Sequence, residues 1–129
     1  MVADVNGKGL DQWTALHFAS NEGHTIIIKE LVKQPGIDLE SMSTIQRTPL
    51  HIAALKGHLD CVRALVEKGA NPSCRDFDES TPLHYAAEFG SINIIIFLIK
   101  ESDANPSLKN KFGYEPSDIA QNNDVRKVF

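Results

Sequence analysis

Apolar positions along the chain fall into pairs of short segments separated by polar stretches. In the second segment of each pair they sit side by side and then three to four residues on. The sets are Ile27, Ile28, Leu31, Val32; then Cys61, Val62, Leu65, Val66; then Ile94, Ile95, Leu98, Ile99. That spacing predicts one face of a helix, not the alternation of a strand. The first segment of each pair is Leu-His followed by small residues, a short helix whose small side chains let neighbouring helices approach closely. Thr14, Thr48 and Thr81 precede it and suit the N-cap, where a hydroxyl accepts from a free first-turn N–H. Pro49 and Pro82 stand at the first helical position, where the missing N–H costs nothing. Gly23, Gly57 and Gly90 fall where this helix should end in a left-handed cap. Turn-forming stretches such as Asn71 to Asp76 and Asn105 to Asn110 follow the second helix. Each unit is therefore a helix, a tight turn, a helix and an extended loop or hairpin.

The units recur in register. Thr14 to Ser20 returns at Thr48 to Ala54 after 34 residues and at Thr81 to Ala87 after a further 33. A fixed period in this range means a repeat architecture. The chain resembles the ankyrin repeat family in its three Thr-(Pro/Ala)-Leu-His-x-Ala copies, in Gly23-His24 and Gly57-His58, and in Lys68-Gly69-Ala70-Asn71. The resemblance implies an all-α solenoid of stacked helix-turn-helix units with projecting β-hairpin loops. It implies a single domain over 1–129, with repeats near 10–42, 43–75, 76–109 and 110–129, and 1–9 as the hairpin remnant of a preceding unit. The fourth copy, Gly113 to Ala120, is degenerate: Glu115 replaces the threonine and Asp118 the histidine. Its second helix, Val125 to Phe129, stops after little more than one turn, and its polarity approximates a capping unit. Ser102-Asp103 and one extra residue predict a distorted turn after the third copy. The unaccompanied stretch Ala3 to Asn6 predicts that the chain is one segment of a longer protein, with further repeats upstream.

Composition narrows the function. The apolar fraction of 42% supplies a core, and 23% charged residues is typical of a soluble globular chain. A formal net charge of −4 argues against general binding to nucleic acid or anionic membranes, which need basic patches. The greasiest run, Ile94 to Ile99, is far short of a membrane span. The N-terminus has no basic start or apolar stretch of a secretory signal. Cys61 and Cys74 are best read as reduced thiols of an intracellular protein, cytoplasmic or nuclear.

Candidate chemistry is thin. His17, His51 and His84 recur at the repeat period and form a ladder in which each ring should bond its own threonine or a neighbouring unit. Helices in a stack lie about 10 Å apart. Zinc bonds are about 2 Å, so two ladder histidines cannot share one metal. His24 and His58 should bond loop carbonyls. Cys61 reads as a small core residue, and Cys74, in a connection beside Arg75, as an exposed one. There is no phosphate loop, Cys-x-x-Cys pair or nucleophile elbow. No enzyme, metal or cofactor is expected.

Function then lies where the copies differ. In the ankyrin family the hairpin tips and the exposed side of the first helix form a concave binding surface. Carried over by register, that surface comprises Leu10, Asp11 and Trp13; Ile45 and Arg47; Phe77 and Asp78; and Lys111, Phe112 and Tyr114 from the hairpins. Glu22, Leu55, Lys56, Glu88 and Phe89 come from the helices. The set holds five of the nine aromatic residues, and aromatic anchors dominate interface energetics. The expected function is a non-catalytic protein–protein interaction module taking a protein or peptide partner. The alternative is an intramolecular scaffold or regulatory segment of a larger channel, kinase or transferase. Monomeric behaviour is expected, with a second, convex-face contact at Ile96 and Phe97, which are greasier than their counterparts in the earlier copies.

Overall fold

The computed structural model describes residues 4–129. Its helices come in pairs: α1 (Ala15–Glu22) with α2 (Thr25–Leu31), α3 (Pro49–Lys56) with α4 (Leu59–Glu67), and α5 (Pro82–Phe89) with α6 (Ile92–Glu101). A fourth, abbreviated pair is a 3-10 turn at Pro116–Ile119 and α7 (Asn123–Arg126). A further 3-10 turn spans Leu10–Gln12. The first helices stack in one layer, α1 on α3 on α5 on the Pro116–Ile119 turn, and the second helices stack in another, α2 on α4 on α6. The core lies between the layers. Leu16, Leu50 and Leu83 repeat there, with Ala19, Ala53 and Ala86 at the close approaches and Val62, Leu65, Ile95 and Leu98 closing from the second layer. Each fully buried Leu or Ile contributes about 1.5–3 kcal/mol.

The local signals act as the sequence implies. Thr14 and Thr48 cap α1 and α3, their Oγ1 accepting the amides of His17 and His51 at 3.4 Å. At Thr81 the His84 amide bonds the threonine carbonyl instead, at 3.0 Å. Gly23, Gly57 and Gly90 close the three helices at φ 75°, 78° and 74°. The requirement at Gly90 is also steric, because a Cβ there would collide with the Gln121 side chain.

Each ladder histidine ties two units together. Thr14, Thr48 and Thr81 donate their N–H to Nδ1 of His17, His51 and His84, at 3.0, 3.2 and 3.0 Å. An Nδ1 that accepts leaves the proton on Nε2. Nε2 then donates to a carbonyl of the next hairpin: Arg47 at 2.9 Å, Ser80 at 2.8 Å and Tyr114 at 2.8 Å.

The hairpins are tight turns too short to form strands among the described residues. Small polar residues close three of them. Ser43, Asp76 and Asn110 turn a side-chain oxygen onto amides two or four residues on. The tips align, with Gln12, Gln46, Glu79 and Gly113 all left-handed at φ 62°, 64°, 58° and 86°. Neighbouring tips are linked by backbone bonds from Thr44 N to Asp11 O (2.9 Å), Phe77 N to Ile45 O (3.2 Å) and Lys111 N to Asp78 O (2.9 Å).

Several expectations need correction. Phe97 is buried in the core, with the Arg63 guanidinium 4.9 Å over its ring, so no apolar patch forms with exposed Ile96. Its register partner Ala64 is buried too, and the larger ring fills the space beneath Arg63. Cys74 is buried, its Sγ 3.2 Å from Thr48 Oγ1 and 3.5 Å from His51 Nδ1. Ile27, on the predicted apolar face of α2, is exposed. The last helix starts two residues earlier than expected, at Asn123, because Asn122 caps it by accepting the Val125 amide at 3.0 Å. His58 bonds the Asn21 carbonyl at 3.1 Å, whereas His24 is exposed and bonds no loop carbonyl among the described residues. Of the Ala3 to Asn6 stretch, Ala3 lies outside the described residues. Asn6 bonds the Gly36 carbonyl and accepts the Asp38 amide, both at 2.8 Å. The turn after α6 is made without a left-handed residue, by Ser102 Oγ donating to Leu98 O at 2.6 Å.

Candidate functional site

Two cavities open where the hairpins meet the first helices. The first, of about 430 Å3, is walled by Asp11 and Trp13 of the first hairpin, Ile45 and Arg47 of the second, and Leu55 and Lys56 of α3. The second, of about 400 Å3, takes Asp78 from the third hairpin, Glu88 and Phe89 from α5, and Phe112 and Tyr114 from the fourth hairpin. Arg47 and Leu55 line both cavities, which places the two side by side in one groove with these side chains between them. Register explains the assembly. Ile45 and Asp78 are equivalent, as are Leu55 and Glu88, so each repeat builds one cavity with its neighbour.

Of the residues expected on this surface, eleven line the groove: Asp11, Trp13, Ile45, Arg47, Leu55, Lys56, Asp78, Glu88, Phe89, Phe112 and Tyr114. Leu10, Glu22, Phe77 and Lys111 do not line it. Leu10 and Phe77 project into solvent, and Glu22 accepts from Asn21 Nδ2 at 3.1 Å. Lys111 pairs with Asp78 at 2.9 Å, and its ammonium lies 4.9 Å from the Phe77 ring and 5.2 Å from the Phe112 ring. It braces the tips instead of offering a free charge.

Trp13 has a mixed role. It walls the first cavity, stacks 6.0 Å from the His17 ring and meets Phe18 edge-on at 4.9 Å.

The centre of the groove rests on a polar cluster that sequence reasoning missed. Asp76 is wholly buried and accepts the Tyr85 hydroxyl together with the amides of Asp78 and Ser80, each at 3.0 Å. Arg47 lies 3.7 Å from Asp76 through Nε, donates from Nη2 to the Tyr85 hydroxyl at 3.2 Å, and spreads its guanidinium 4.9 Å over the Tyr85 ring. A buried carboxylate needs such partners. Burial, and then the bond to Asp76, raise the Tyr85 pKa, so the phenol stays a donor. Two signals were present in the sequence. Tyr85 stands where the other copies have Phe18 and Ile52, and a buried phenol needs a partner. Asp76 stands in the register of Ser43 and Asn110.

The titratable groups nearby are committed to structure. Burial lowers the pKa of His17 and His84, and that of His51 to about 4. Burial pushes the Cys74 thiol up to about 12, which leaves it protonated despite its histidine neighbour. Among the described residues no cluster of three or more His, Cys, Asp or Glu side chains could hold a metal ion. No described helix is long and apolar enough to cross a membrane.

A family model described as ankyrin repeats (three copies) matches residues 2–76 and 36–110. Among similar proteins, the transient receptor potential cation channel subfamily A member 1 homolog of Caenorhabditis elegans is 35% identical over 115 residues, covering 89% of this chain and 9% of its own length. The target of rapamycin complex 2 subunit AVO2 of Saccharomyces cerevisiae is 28% identical over 118 residues, covering 90% of this chain and 28% of its own. The probable 26S proteasome regulatory subunit p28 of the same yeast is 30% identical over 105 residues, covering 81% and 46%. The chain thus spans less than half the length of each of these relatives.

Proposed function

Because the chain belongs to the ankyrin repeat family, whose members generally serve as protein-interaction modules, we propose that its groove binds a protein or peptide segment of a partner. The observation carrying this reading is that exposed apolar side chains, Ile45, Phe89, Phe112 and Tyr114, line two adjoining cavities on one face of the stack. Exposed apolar surface of that kind marks an interaction site. The stack fixes the groove in advance, so little ordering entropy opposes binding. A binding role without catalysis fits the chemistry: the ladder histidines have both ring nitrogens engaged, and the Cys74 thiol is protonated.

The test is affinity capture from lysate with the native chain and an Ile45→Asp/Phe89→Asp double variant. Both positions are exposed, so the variant should keep its helical circular dichroism. Partners lost by the variant identify the groove as the site. Capture of the same set by both proteins refutes it.

A second reading is favoured by the relatives' lengths. The segment matching this chain is 9% of the Caenorhabditis elegans channel homolog, so the same groove would suit a segment of its own parent polypeptide. A groove variant that changes the behaviour of the parent chain, with no external partner lost, supports that reading.

A further inference from the structure

The groove's donors say more about its occupant than its rings do. A helical partner bonds its carbonyls internally, whereas an extended segment brings bare carbonyls that need donors. Three of the residues lining the groove, Trp13, Arg47 and Tyr114, carry a side-chain donor with no partner of its own among the described residues. The Trp13 indole N–H, in the first cavity, bonds no acceptor among the described residues. Arg47, on the shared wall, spends Nη2 on Tyr85 and has Nη1 unbonded among the described residues. The exposed Tyr114 hydroxyl, in the second cavity, is unbonded in the same sense.

Spacing selects among extended conformations. The two cavities are one repeat apart, and packed helices lie about 8–10 Å apart. In a polyproline-type segment, residues i and i+3 share a face and are about 9 Å apart. Same-face residues of a β-strand are about 7 Å or about 13 Å apart, and match less well. A helix reaches about 10 Å with i and i+7, but leaves the three donors unused.

Charge adds polarity. Lys56 on the helix side of the first cavity and Glu88 on the helix side of the second pair with no opposite charge among the described residues; Asp11, on the hairpin side of the first cavity, is also unpaired among them, whereas Arg47 and Lys111 are held by Asp76 and Asp78.

The geometry points to one occupant: an extended, polyproline-type segment with apolar side chains at i and i+3, an acidic residue beside the one in the first cavity and a basic residue beside the other. This rests on the groove reading above. Trp13 is the only tryptophan, so its emission reports occupancy of the first cavity directly. The probes are blocked peptides carrying Leu-Asp-Pro-Leu-Lys and the reversed order Lys-Leu-Pro-Asp-Leu, since the groove fixes polarity but not chain direction. One order should saturate the Trp13 emission change below about 1 mM, with roughly tenfold weaker binding when the leucines are moved to i and i+2. A Lys56→Glu/Glu88→Lys double variant should prefer the peptide whose Asp and Lys are exchanged.

The proposal is overturned if neither order shifts Trp13 emission by about 1 mM. It is equally overturned if a helix-locked peptide with leucines at i and i+7 binds tighter, or if exchange of the charges has no effect. If these fail while lysate capture still depends on Ile45 and Phe89, only the extended occupant is lost. If capture is also insensitive to those residues, the groove reading goes with it.

Discussion

The first and third repeats place equivalent residues in opposite environments. Phe18 of α1 is 50% exposed, while its counterparts Ile52 and Tyr85 are 2% and 7% exposed. Ile27 of α2 is 48% exposed, against 0% for Cys61 and 1% for Ile94. Position in the repeat is the same in each case, and what differs is the neighbour. A preceding helix pair covers the face in the second and third copies, whereas in the first no described helix pair does, and Phe18 meets the Trp13 ring edge-on. The opposite end of the stack is finished differently. There the Pro116–Ile119 turn lies on α5 with α7 against that turn, Gln121 N donates to the Ala87 carbonyl at 2.9 Å, and Val125 is buried. Gln121, Asn122, Asn123 and Asp124 face solvent. In a solenoid, burial is thus conferred by the adjacent unit, and a polar terminal unit substitutes for a missing one.

The sharpest test of that comparison is a pair of identical substitutions. Ile94→Ala leaves a cavity between two packed repeats and should cost about 3–4 kcal/mol, within the range for large-to-small core changes. Ile27→Ala, in the same register but half exposed, should cost about 1 kcal/mol. Urea unfolding of both variants measures the difference. Equal costs would show that the exposed face of the first repeat is covered in solution.

Acid should act on the interior of the stack. His51, between two complete neighbours, has its pKa lowered to about 4, chiefly by burial. The unfolded chain takes up this proton near pH 6.5, and the folded chain only at lower pH. The stabilising contribution is therefore complete above about pH 6.5 and is lost as the pH falls towards 4. A shift of that size is on the order of 3 kcal/mol. Urea midpoints at pH 7 and pH 4.5 should differ accordingly, and the His51 ring signals in NMR should not titrate near pH 6.5. A ring that does titrate there breaks the link between a central position and burial.

These contrasts also show what a sequence exposes. Threonine caps, left-handed glycines and the histidine ladder were legible because each acts within a few residues or recurs at the repeat period. The groove was legible as far as register carries it, which placed Ile45, Leu55 and Phe89 on one face. The misses depend on what a neighbouring repeat does. Phe97 looked like a convex patch because the Arg63 side chain that covers it belongs to α4. Cys74 looked exposed because its connection is polar, yet its register partner Ser41 is buried as well. The Arg47–Asp76–Tyr85 cluster draws on two hairpins and a helix, with no local motif to announce it.

The smallest expected effect lies at the hairpin tips, where the same left-handed position is filled by Gln12, Gln46, Glu79 and Gly113. A non-glycine residue there carries a conformational cost of about 1 kcal/mol. Glycine removes that cost but raises the entropy of the unfolded chain, which offsets much of the gain. Glu79→Gly should therefore stabilise by no more than about 0.5 kcal/mol, a shift in midpoint of a few degrees or less. Its side chain is exposed, so nothing else of consequence is removed. The converse change, Gly113→Glu, should destabilise by a similar small amount, because no heavy atom lies within 4 Å of the added Cβ and only the φ of 86° opposes it. A loss of several kcal/mol in either variant would mean that the tips hold the stack together through more than their backbone bonds, and that the fourth unit differs from the others in more than its polarity.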